Sequence, residues 1–225
     1  ERVKAFVKLP KKDSKITDIW MEKEDGTYVL SGTAGIGPKH ETSALDSLMS
    51  KLDKPEKLVI LSDIKEGLKS NKRVKVKMGF DQHMGDLYPF TLNDKLAVIT
   101  ELDEWYTEEN GNKSPWRKPI IPIEMISVLT NFSGNPSNFS VKGPVIGLFA
   151  NQEIKLFNGP LFVDEEYQIK KEIIALSQSK RVETYWCMTS VYDKENILVA
   201  ECLLNQAFLK DSYKNYEQEL KDISG

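Results

Sequence analysis

His83 is the side chain in this sequence best suited to proton transfer near neutral pH. It is one of only two histidines and stands between Asp81 and Asp86 in the segment GFDQHMGD (residues 79–86). An imidazole beside carboxylates can act as a general acid or base, because its ordinary pKa is about 6.5. The alternative is a loop histidine that is simply solvated or hydrogen-bonded. His83 is therefore a candidate catalytic residue.

Several other kinds of site are excluded by the sequence. It has no metal-ligand spacing, no glycine-rich phosphate loop and no nucleophile elbow. The two cysteines, Cys187 and Cys202, lie inside apolar runs, far apart and without matching histidines. We therefore predict no metal site, and we interpret both thiols as core residues of a cytoplasmic protein in a reducing compartment.

Charge and composition limit the kinds of molecule that the protein is expected to bind. The 225 residues suffice for one large domain or two smaller ones. Lys plus Arg is 31 and Asp plus Glu is 34, a formal net charge of −3 that predicts neither a nucleic acid nor a membrane partner. The chain has no long apolar segment or signal peptide and does not begin with Met, so it is expected to be a processed product, a fragment or a chain whose start is missing.

The segment SPWRKPIIPIEMISVLTNF (residues 114–132) predicts the central element of the fold. It is too short to cross a membrane, which takes roughly 20 mostly apolar residues. It carries no charge after Glu124. We expect a buried helix from about residue 119 to 131. The apolar residues expected to be buried all round are Ile120, Ile121, Ile123, Met125, Ile126, Val128 and Leu129.

The residues that follow read as an antiparallel sheet around this helix. A loop at 133–144 leads to strands predicted at 145–157, 165–176, 181–192 and 197–209. One helix followed by antiparallel strands predicts an α+β fold. Within these strands the run KKEI (170–173) is expected to be solvated surface. The alternation in the first strand places the following residues on one side: Ile146, Leu148, Ala150, Ile154 and Leu156.

The N-terminal third has a rhythm similar to the last strands. Residues 14–37 and 179–204 both begin with Ser-Lys, pass through a strand containing Trp and turn on acidic residues with Gly26 or Asn196. One hypothesis is that residues 1–37 are the terminal strands of a first unit of the same fold, joined by a connector at 38–57 that contains a short amphipathic helix. The alternative is that any two hairpins look alike. The main domain is predicted at 58–210, with a C-terminal tail at 211–225.

The order of these segments resembles a known family, the MaoC-like proteins of the hotdog superfamily, in which an antiparallel sheet wraps a central helix. Residues 58–70 are similar to that family's D-x-x-x-G opening, through Asp63 and Gly67. Residues 90–106 resemble its first helix, with Asn93 or Asp94 at the cap, and SPWRKPIIPIEMI resembles the stretch entering the central helix. The strand segment matches through Phe157, Pro160 and Asp164. The resemblance covers about two-thirds of the chain and implies a hotdog fold, with the N-terminal third as part of a partial double hotdog.

The resemblance also implies a chemistry, the addition or removal of water at a conjugated acyl thioester. The family uses a carboxylate and a histidine as an acid–base pair, together with a helix N-terminus that binds the thioester oxygen. Asp103 can be placed on the family's aspartate. No histidine follows it, and Tyr106 stands near the expected position. His83 is then the candidate for the second member of the pair.

Further roles are implied by the same resemblance. The helix start at Ile120, Ile121 and Ile123 would bind the thioester, and Trp105, Tyr106 and Trp116 would line an acyl pocket, unless these aromatics belong to the core. Glu124 would be catalytic if the chain were a hotdog thioesterase. Its alternative role is to favour the helix dipole.

Three functions remain open at this stage. The first is an acyl-CoA hydratase or dehydratase, with acyl-CoA or an acyl-carrier thioester as substrate and no cofactor. The second is a non-catalytic hotdog unit that supports a catalytic partner domain or subunit, which the missing histidine favours. The third is a thioesterase. In each case we expect a homodimer or a homologous hotdog partner, because a hotdog sheet leaves an unpaired edge strand.

Overall fold

Three strands near the N-terminus form a sheet of their own. The computed structural model describes residues 2–9, 16–35, 44–86, 88–99, 102–132, 135–136 and 138–223. It divides the chain into two units, Glu1–Ala44 and Leu45–Gly225. In the first unit, β1 (Val3–Val7), β2 (Ile16–Lys23) and β3 (Tyr28–Gly35) form an antiparallel sheet in the order β1-β2-β3. Phe6 stacks on Trp20 with ring centroids 5.3 Å apart, which joins the first two strands.

The second unit combines a five-stranded antiparallel sheet with short helices. The helices are α1 (Ala44–Met49), α2 (Leu92–Leu96), α3 (Ile123–Asn131) and α4 (Tyr216–Asp222), and the strands are β4 (Val74–Val76), β5 (Gly147–Leu156), β6 (Tyr167–Gln178), β7 (Val182–Tyr192) and β8 (Leu198–Leu209). The strand order in the sheet is β4-β6-β7-β8-β5. Each of the four long strands was predicted from the sequence. The three-residue strand β4 was not.

The sheet encloses α3. Met125, Ile126 and Leu129 of the helix are buried in one cluster with Ile169 of β6 and Val191 of β7. A central helix surrounded by an antiparallel sheet is the hotdog arrangement, so the predicted α+β hotdog fold is confirmed. The burial of this helix explains why its sequence needs no broad polar face.

The helix is shorter than predicted, because residues 119–121 are extended. The N–H of Ile121 donates to the carbonyl of Leu161 at 2.8 Å, and Ile120 forms an isolated β-bridge with Phe162. The helix therefore begins only at Ile123, after Pro122. Ile123 itself is 57% exposed. The prediction that it is buried with its neighbours was wrong.

Strand β5 also differs from its predicted pattern. A β-bulge between Phe149 and Asn151 shifts the register against β8, so Leu148 and Ile154 face opposite sides of the sheet. The expectation that Ile146, Leu148, Ala150, Ile154 and Leu156 share one side was therefore wrong. Ile154 packs against the core, while the other four are exposed.

Two further elements correct the sequence-based picture. The cap of α2 is Thr91, not Asn93 or Asp94. Asp94 closes a capping box by accepting the N–H of Thr91 at 2.8 Å. The predicted C-terminal tail contains α4, whose Tyr216 is buried and donates from its hydroxyl to Glu183 at 2.9 Å.

The predicted domain boundaries at 37, 57 and 210 stay predictions. Residues 36–43, which include the start of the expected connector, lie outside the described residues. The helix expected in that connector is present in its described part as α1. None of the described helices is long and apolar enough to cross a membrane.

Candidate functional site

The loop before α3 is closed by a buried serine. The hydroxyl of Ser114 donates to the carbonyl of Lys118 at 2.6 Å and accepts the N–H of Lys118 at 3.2 Å. Arg117 within the loop has a positive φ of 56°, an uncommon backbone state for a residue other than glycine. These bonds fix a tight loop that carries Trp116 on its outside, 44% exposed.

Aromatic side chains form a partly exposed patch beside this loop. Trp116 meets Trp105 edge to face, with centroids 6.1 Å apart, and meets Phe162 at 6.2 Å. The ammonium group of Lys118 lies 5.3 Å from the Phe162 ring centroid and pairs with Glu165 at 2.6 Å. We call Trp105, Trp116 and Phe162 the aromatic patch. Tyr106, which was predicted to share an acyl pocket with the two tryptophans, packs instead against the core cluster around α3.

Ile120 and Ile121 belong to the core beneath this patch. Both side chains are buried. The N–H of Ile120 donates to the carbonyl of Trp105 at 3.0 Å, and that of Ile121 donates to Leu161. Neither N–H is available to a ligand, so the donors expected from the sequence at 120 and 121 are already used inside the protein.

The free donors lie one turn later, at the N-terminus of α3. Pro122 precedes the helix, and its carbonyl accepts the N–H of Met125 at 2.9 Å. The N–H groups of Ile123 and Glu124 meet no acceptor among the described residues, and both residues are exposed. Unpaired N–H groups at a helix start carry a partial positive charge and bind anionic or carbonyl oxygens.

Asp103 is linked by hydrogen bonds to the segment that leads into α3. Its carboxylate accepts the N–H of Trp105 at 2.8 Å and so caps a short 3-10 helix at Glu104–Tyr106. Trp105 in turn accepts the N–H of Ile120, which connects the turn to the segment entering α3. Asp103 is exposed, so its remaining acceptor positions face solvent.

His83 is placed elsewhere, beside the start of α2. It is exposed, and its charge contributes to holding the pKa of Asp94 below the ordinary value, after the larger effect of the hydrogen bonds from Thr91. No described hydrogen bond or ion pair joins His83 to Asp103 or Glu124. The acid–base pair of Asp103 and His83 thus stays a prediction that no contact in the structure supports.

Glu124 stands in the first turn of α3 with its carboxylate exposed. This position fits the helix-dipole role that the sequence left open. The described residues contain no group of three or more His, Cys, Asp or Glu that could hold a metal.

One buried ionisable residue was missed by the sequence interpretation. Lys171, in the run KKEI assigned to solvated surface, is 2% exposed, and Ile173 beside it is 0% exposed. The signal was present in the period of β6, where Tyr167, Ile169 and Ile173 alternate on one face and Lys171 falls in phase with them.

Comparison with known proteins gives a likeness of fold. No family model and no curated protein matches the chain. Among solved structures, a MaoC-like dehydratase from Rhodospirillum rubrum is 13% identical, covering 67% of this chain and 97% of that one, with a TM-score of 0.45. An (R)-hydratase from A. caviae is 13% identical, covering 64% and 97%, with a TM-score of 0.40. A (3R)-hydroxyacyl-ACP dehydratase complex from Mycobacterium tuberculosis is 10% identical, covering 63% and 96%, with a TM-score of 0.43.

The arrangement of α3 and its enclosing sheet makes the second unit a hotdog domain. The resemblance to MaoC-like hotdog proteins drawn from the sequence agrees with the names of these solved structures, and the likeness to them is one of fold alone. Activity, substrate and assembly do not follow from a likeness at this level of identity.

Proposed function

We propose that the hotdog domain binds an acyl thioester, on CoA or on an acyl carrier, at the N-terminus of α3. The observation that carries the proposal is the pair of exposed N–H groups at Ile123 and Glu124, which meet no acceptor in the described structure. A thioester carbonyl oxygen accepts both donors, and the binding strengthens as that oxygen gains negative charge. The aromatic patch, joined to the helix start through Ile120, offers an apolar surface for the acyl or carrier chain.

The corresponding chemistry is hydration or dehydration of a conjugated thioester. Water adds across the carbon–carbon double bond, with its hydroxyl going to the carbon farther from the carbonyl and a proton to the nearer one. An enolate-like oxygen forms on the way, and the free N–H groups of α3 stabilise it. The reaction also needs acid–base groups that move the two protons.

The candidate for such a group in this domain is Asp103, and no histidine contacts it among the described residues. We therefore propose that it acts as a thioester-binding unit that supports a catalytic hotdog partner, which completes the acid–base pair. A hydratase that uses Asp103 alone is the second candidate, favoured by the exposure of that carboxylate, which caps the turn bonded to the segment leading into α3.

The partner is proposed to pair along β5. This strand is one edge of the five-stranded sheet, so its outer backbone groups pair with no other strand among the described residues of the domain. Its apolar side chains are exposed, with Leu148 at 50% and Phe149 at 56%. An exposed apolar edge invites another strand, and a second hotdog unit, in this chain or another copy, provides one.

Replacing Ile123 with Pro tests the thioester site directly. Proline at the first helical position keeps the helix and removes one N–H, and Pro122 before it already has a ψ of 141°, which a following proline accepts. Ile123→Ala is the matched control, because it shortens the same exposed side chain and keeps the N–H. Calorimetric titration with crotonyl-CoA should give affinity about 3- to 10-fold weaker for the proline variant than for the alanine variant. Equal affinities, or no binding by the native chain, would overturn the proposal.

Activity assays on the same proteins separate the functions. The supporting-unit proposal expects binding of crotonyl-CoA without hydration by the chain alone. Hydration that falls about 10²- to 10⁴-fold in Asp103→Asn would instead identify a self-sufficient hydratase. Release of free CoA that depends on Glu124, tested with Glu124→Gln, would identify a thioesterase.

A further inference from the structure

Lys171 occupies an interior position of the hotdog sheet. It lies on β6 in the inward-facing row that also contains Tyr167, Ile169 and Ile173. Its side chain is 2% exposed. An amine in such a place must lose nearly all of its hydration, which is costly unless the protein replaces it.

Two neutral side-chain amides replace the lost water as hydrogen-bond acceptors for the Lys171 amine. The amine Nζ donates to Asn131 Oδ1 at 2.9 Å, at the end of α3, and to Asn138 Oδ1 at 2.8 Å. No carboxylate among the described residues forms an ion pair with it. The ionisable groups that face it or share its surroundings are the thiols of Cys187 and Cys202 and the phenol of Tyr185.

These surroundings favour the uncharged amine. Burial lowers the pKa of Lys171 from its ordinary value, and burial raises the pKa of Cys187 to about 11, so that this thiol carries no compensating charge near pH 7. Burial likewise raises the pKa of Tyr185, which stays protonated. A neutral amine has two N–H donors, and the two asparagine oxygens accept both. Its lone pair is then left over for reaction.

The amine borders a small cavity. The space has a volume of about 170 Å³ and is lined on its polar side by Asn131, Asn138 and Lys171 and on its apolar side by residues that include Phe139, Leu204 and Phe208. An apolar cavity of about 150 Å³ holds benzene, so this one holds a compound of about six to eight non-hydrogen atoms. Asn138, which lines the cavity, is exposed and also lines, with Phe139, a wider surface groove of about 700 Å³, so the cavity reaches solvent on this side.

We propose that Lys171 is a carbonyl-binding lysine, whose amine forms an imine with a small aldehyde or ketone that enters this cavity. The nitrogen lone pair adds to the carbonyl carbon, the carbon–oxygen double bond is replaced by a carbon–nitrogen double bond, and the oxygen leaves as water with the two amine hydrogens. The reaction needs no oxidant or reductant. It does not depend on thioester binding, since the cavity adjoins the C-terminal end of α3 and the proposed thioester site is at the N-terminal end.

The native chain is treated with propanal and sodium cyanoborohydride at pH 7, which reduces any imine to a stable secondary amine. Peptide mass spectrometry then compares the rate of modification at Lys171 with the rate at the exposed Lys180. We expect Lys171 to react faster than Lys180, because a pKa lowered by burial raises the neutral, reactive fraction of the amine. Modification of Lys171 no faster than that of Lys180 would overturn the proposal.

Two controls separate the cavity from local unfolding and from simple exposure. An aldehyde carried on dextran is too large for 170 Å³ and should modify Lys180 but not Lys171. Asn131→Asp places a carboxylate beside the Lys171 amine. The negative charge keeps the amine protonated, so the rate at Lys171 should fall towards that of Lys180. Circular dichroism shows whether the variant is folded, and Asn138→Asp, at an exposed residue, makes the same test if it is not. Unchanged rates in the folded aspartate variants would also contradict the proposal.

Discussion

The hairpin β2–β3 of the first unit and the hairpin β7–β8 of the second are closed by the same backbone turn. In the first, the N–H of Lys23 donates to the carbonyl of Thr27 at 2.9 Å. In the second, the N–H of Asp193 donates to Ile197 at 3.0 Å. Each turn is a three-residue loop with a further bond from its last residue back to its start.

The match extends to the left-handed residue and to the register. Gly26 has a φ of 81° and Asn196 a φ of 64°, at equivalent positions of the two loops. The strand before each turn has a register shift at the residue that precedes the turn-closing Lys23 or Asp193, namely Glu22 in β2 and Tyr192 in β7. The same turn chemistry therefore gives the same hairpin in both units.

Burial is where the two hairpins differ. Met21 pairs with Leu30 in the first hairpin, and at the equivalent positions Val191 pairs with Ala200 in the second. The first pair is 40% and 49% exposed, while both members of the second are 0% exposed. The helix α3 packs on the second hairpin. The comparison shows that residues within the turn are enough to form the hairpin. Burial of the hairpin depends on another element, here α3, that packs against its face.

The comparison also refines the repeat hypothesis. When the two turns are aligned, Trp20 corresponds to Ser190, and Trp186 corresponds to Ile16. The two tryptophans that contributed to the apparent rhythm are therefore not equivalent. The turn itself is a common hairpin device, so the repeat stays a prediction.

The largest difference between the units should appear on truncating a leucine. Leu129 in α3 is 0% exposed, and Leu129→Ala should lower the free energy of unfolding by about 2–5 kcal/mol, because it empties a core site. Leu30→Ala, in the exposed hairpin, should change it by about 0.5 kcal/mol or less. Urea denaturation followed by circular dichroism measures both. Similar losses in the two variants would break the comparison.

A smaller, matched effect should come from the two turns. Gly26→Ala meets no atom within 4 Å but must adopt a positive φ, so it should weaken the hairpin by about 1 kcal/mol. Asn196→Ala should have a similar effect, with the loss of its hydrogen bond from Arg73 in addition. Amide hydrogen exchange at Lys23 and at Asp193 reports on each turn. Asn196→Gly is the control, since it accepts the positive φ. A strong effect in one turn only would show that the two are not the same.

The smallest effect should be the response of the first turn to acid. Hydrogen bonds from the backbone N–H and the side chain of Thr27 hold the pKa of Asp25 below its ordinary value of 3.8. A carboxylate whose pKa is lowered by folding stabilises the turn above its ordinary pKa, and the effect is lost as the pH falls through the folded value. The amide signal of Thr27 should therefore titrate with a midpoint below 3.8. Asp25→Asn should abolish this step, and a midpoint at or above 3.8 would contradict the assignment.

Much of the fold could be predicted because its signals are local. Apolar, β-branched and aromatic residues between short polar turns marked β6, β7 and β8, and an apolar run without charge after Glu124 marked α3. The missed features depend on contacts between distant segments. Ile120 and Ile121 read as helix, but carbonyls at Trp105 and Leu161 hold them extended. The bulge in β5 places Leu148 on the side of the sheet opposite to Ile154. No glycine or proline at the bulge signals it in the sequence.

The candidate site was less predictable for the same reason. Asp103 and the start of α3 were found through a resemblance of short segments. Which N–H groups remain free there depends on hydrogen bonds donated to the carbonyls of residues 105 and 161, which no local pattern reveals. Lys171 falls in the same alternating row as the buried apolar residues of β6. Its charge nevertheless predicted an exposed side chain, because a buried lysine without a carboxylate partner is rare.

The carboxylate of Glu183 has a consequence for the order of folding. It is 0% exposed and accepts the N–H groups of Val59 and Leu61 and the hydroxyl of Tyr216, from segments 124, 122 and 33 residues away along the chain. Closing such long loops slows folding, and a carboxylate stripped of water before all its donors arrive is strongly disfavoured. Residues 59–61 and α4 should therefore dock on β7 together and late, once the sheet is already formed. The first and last segments of the domain are therefore expected to pack onto the sheet in one cooperative step.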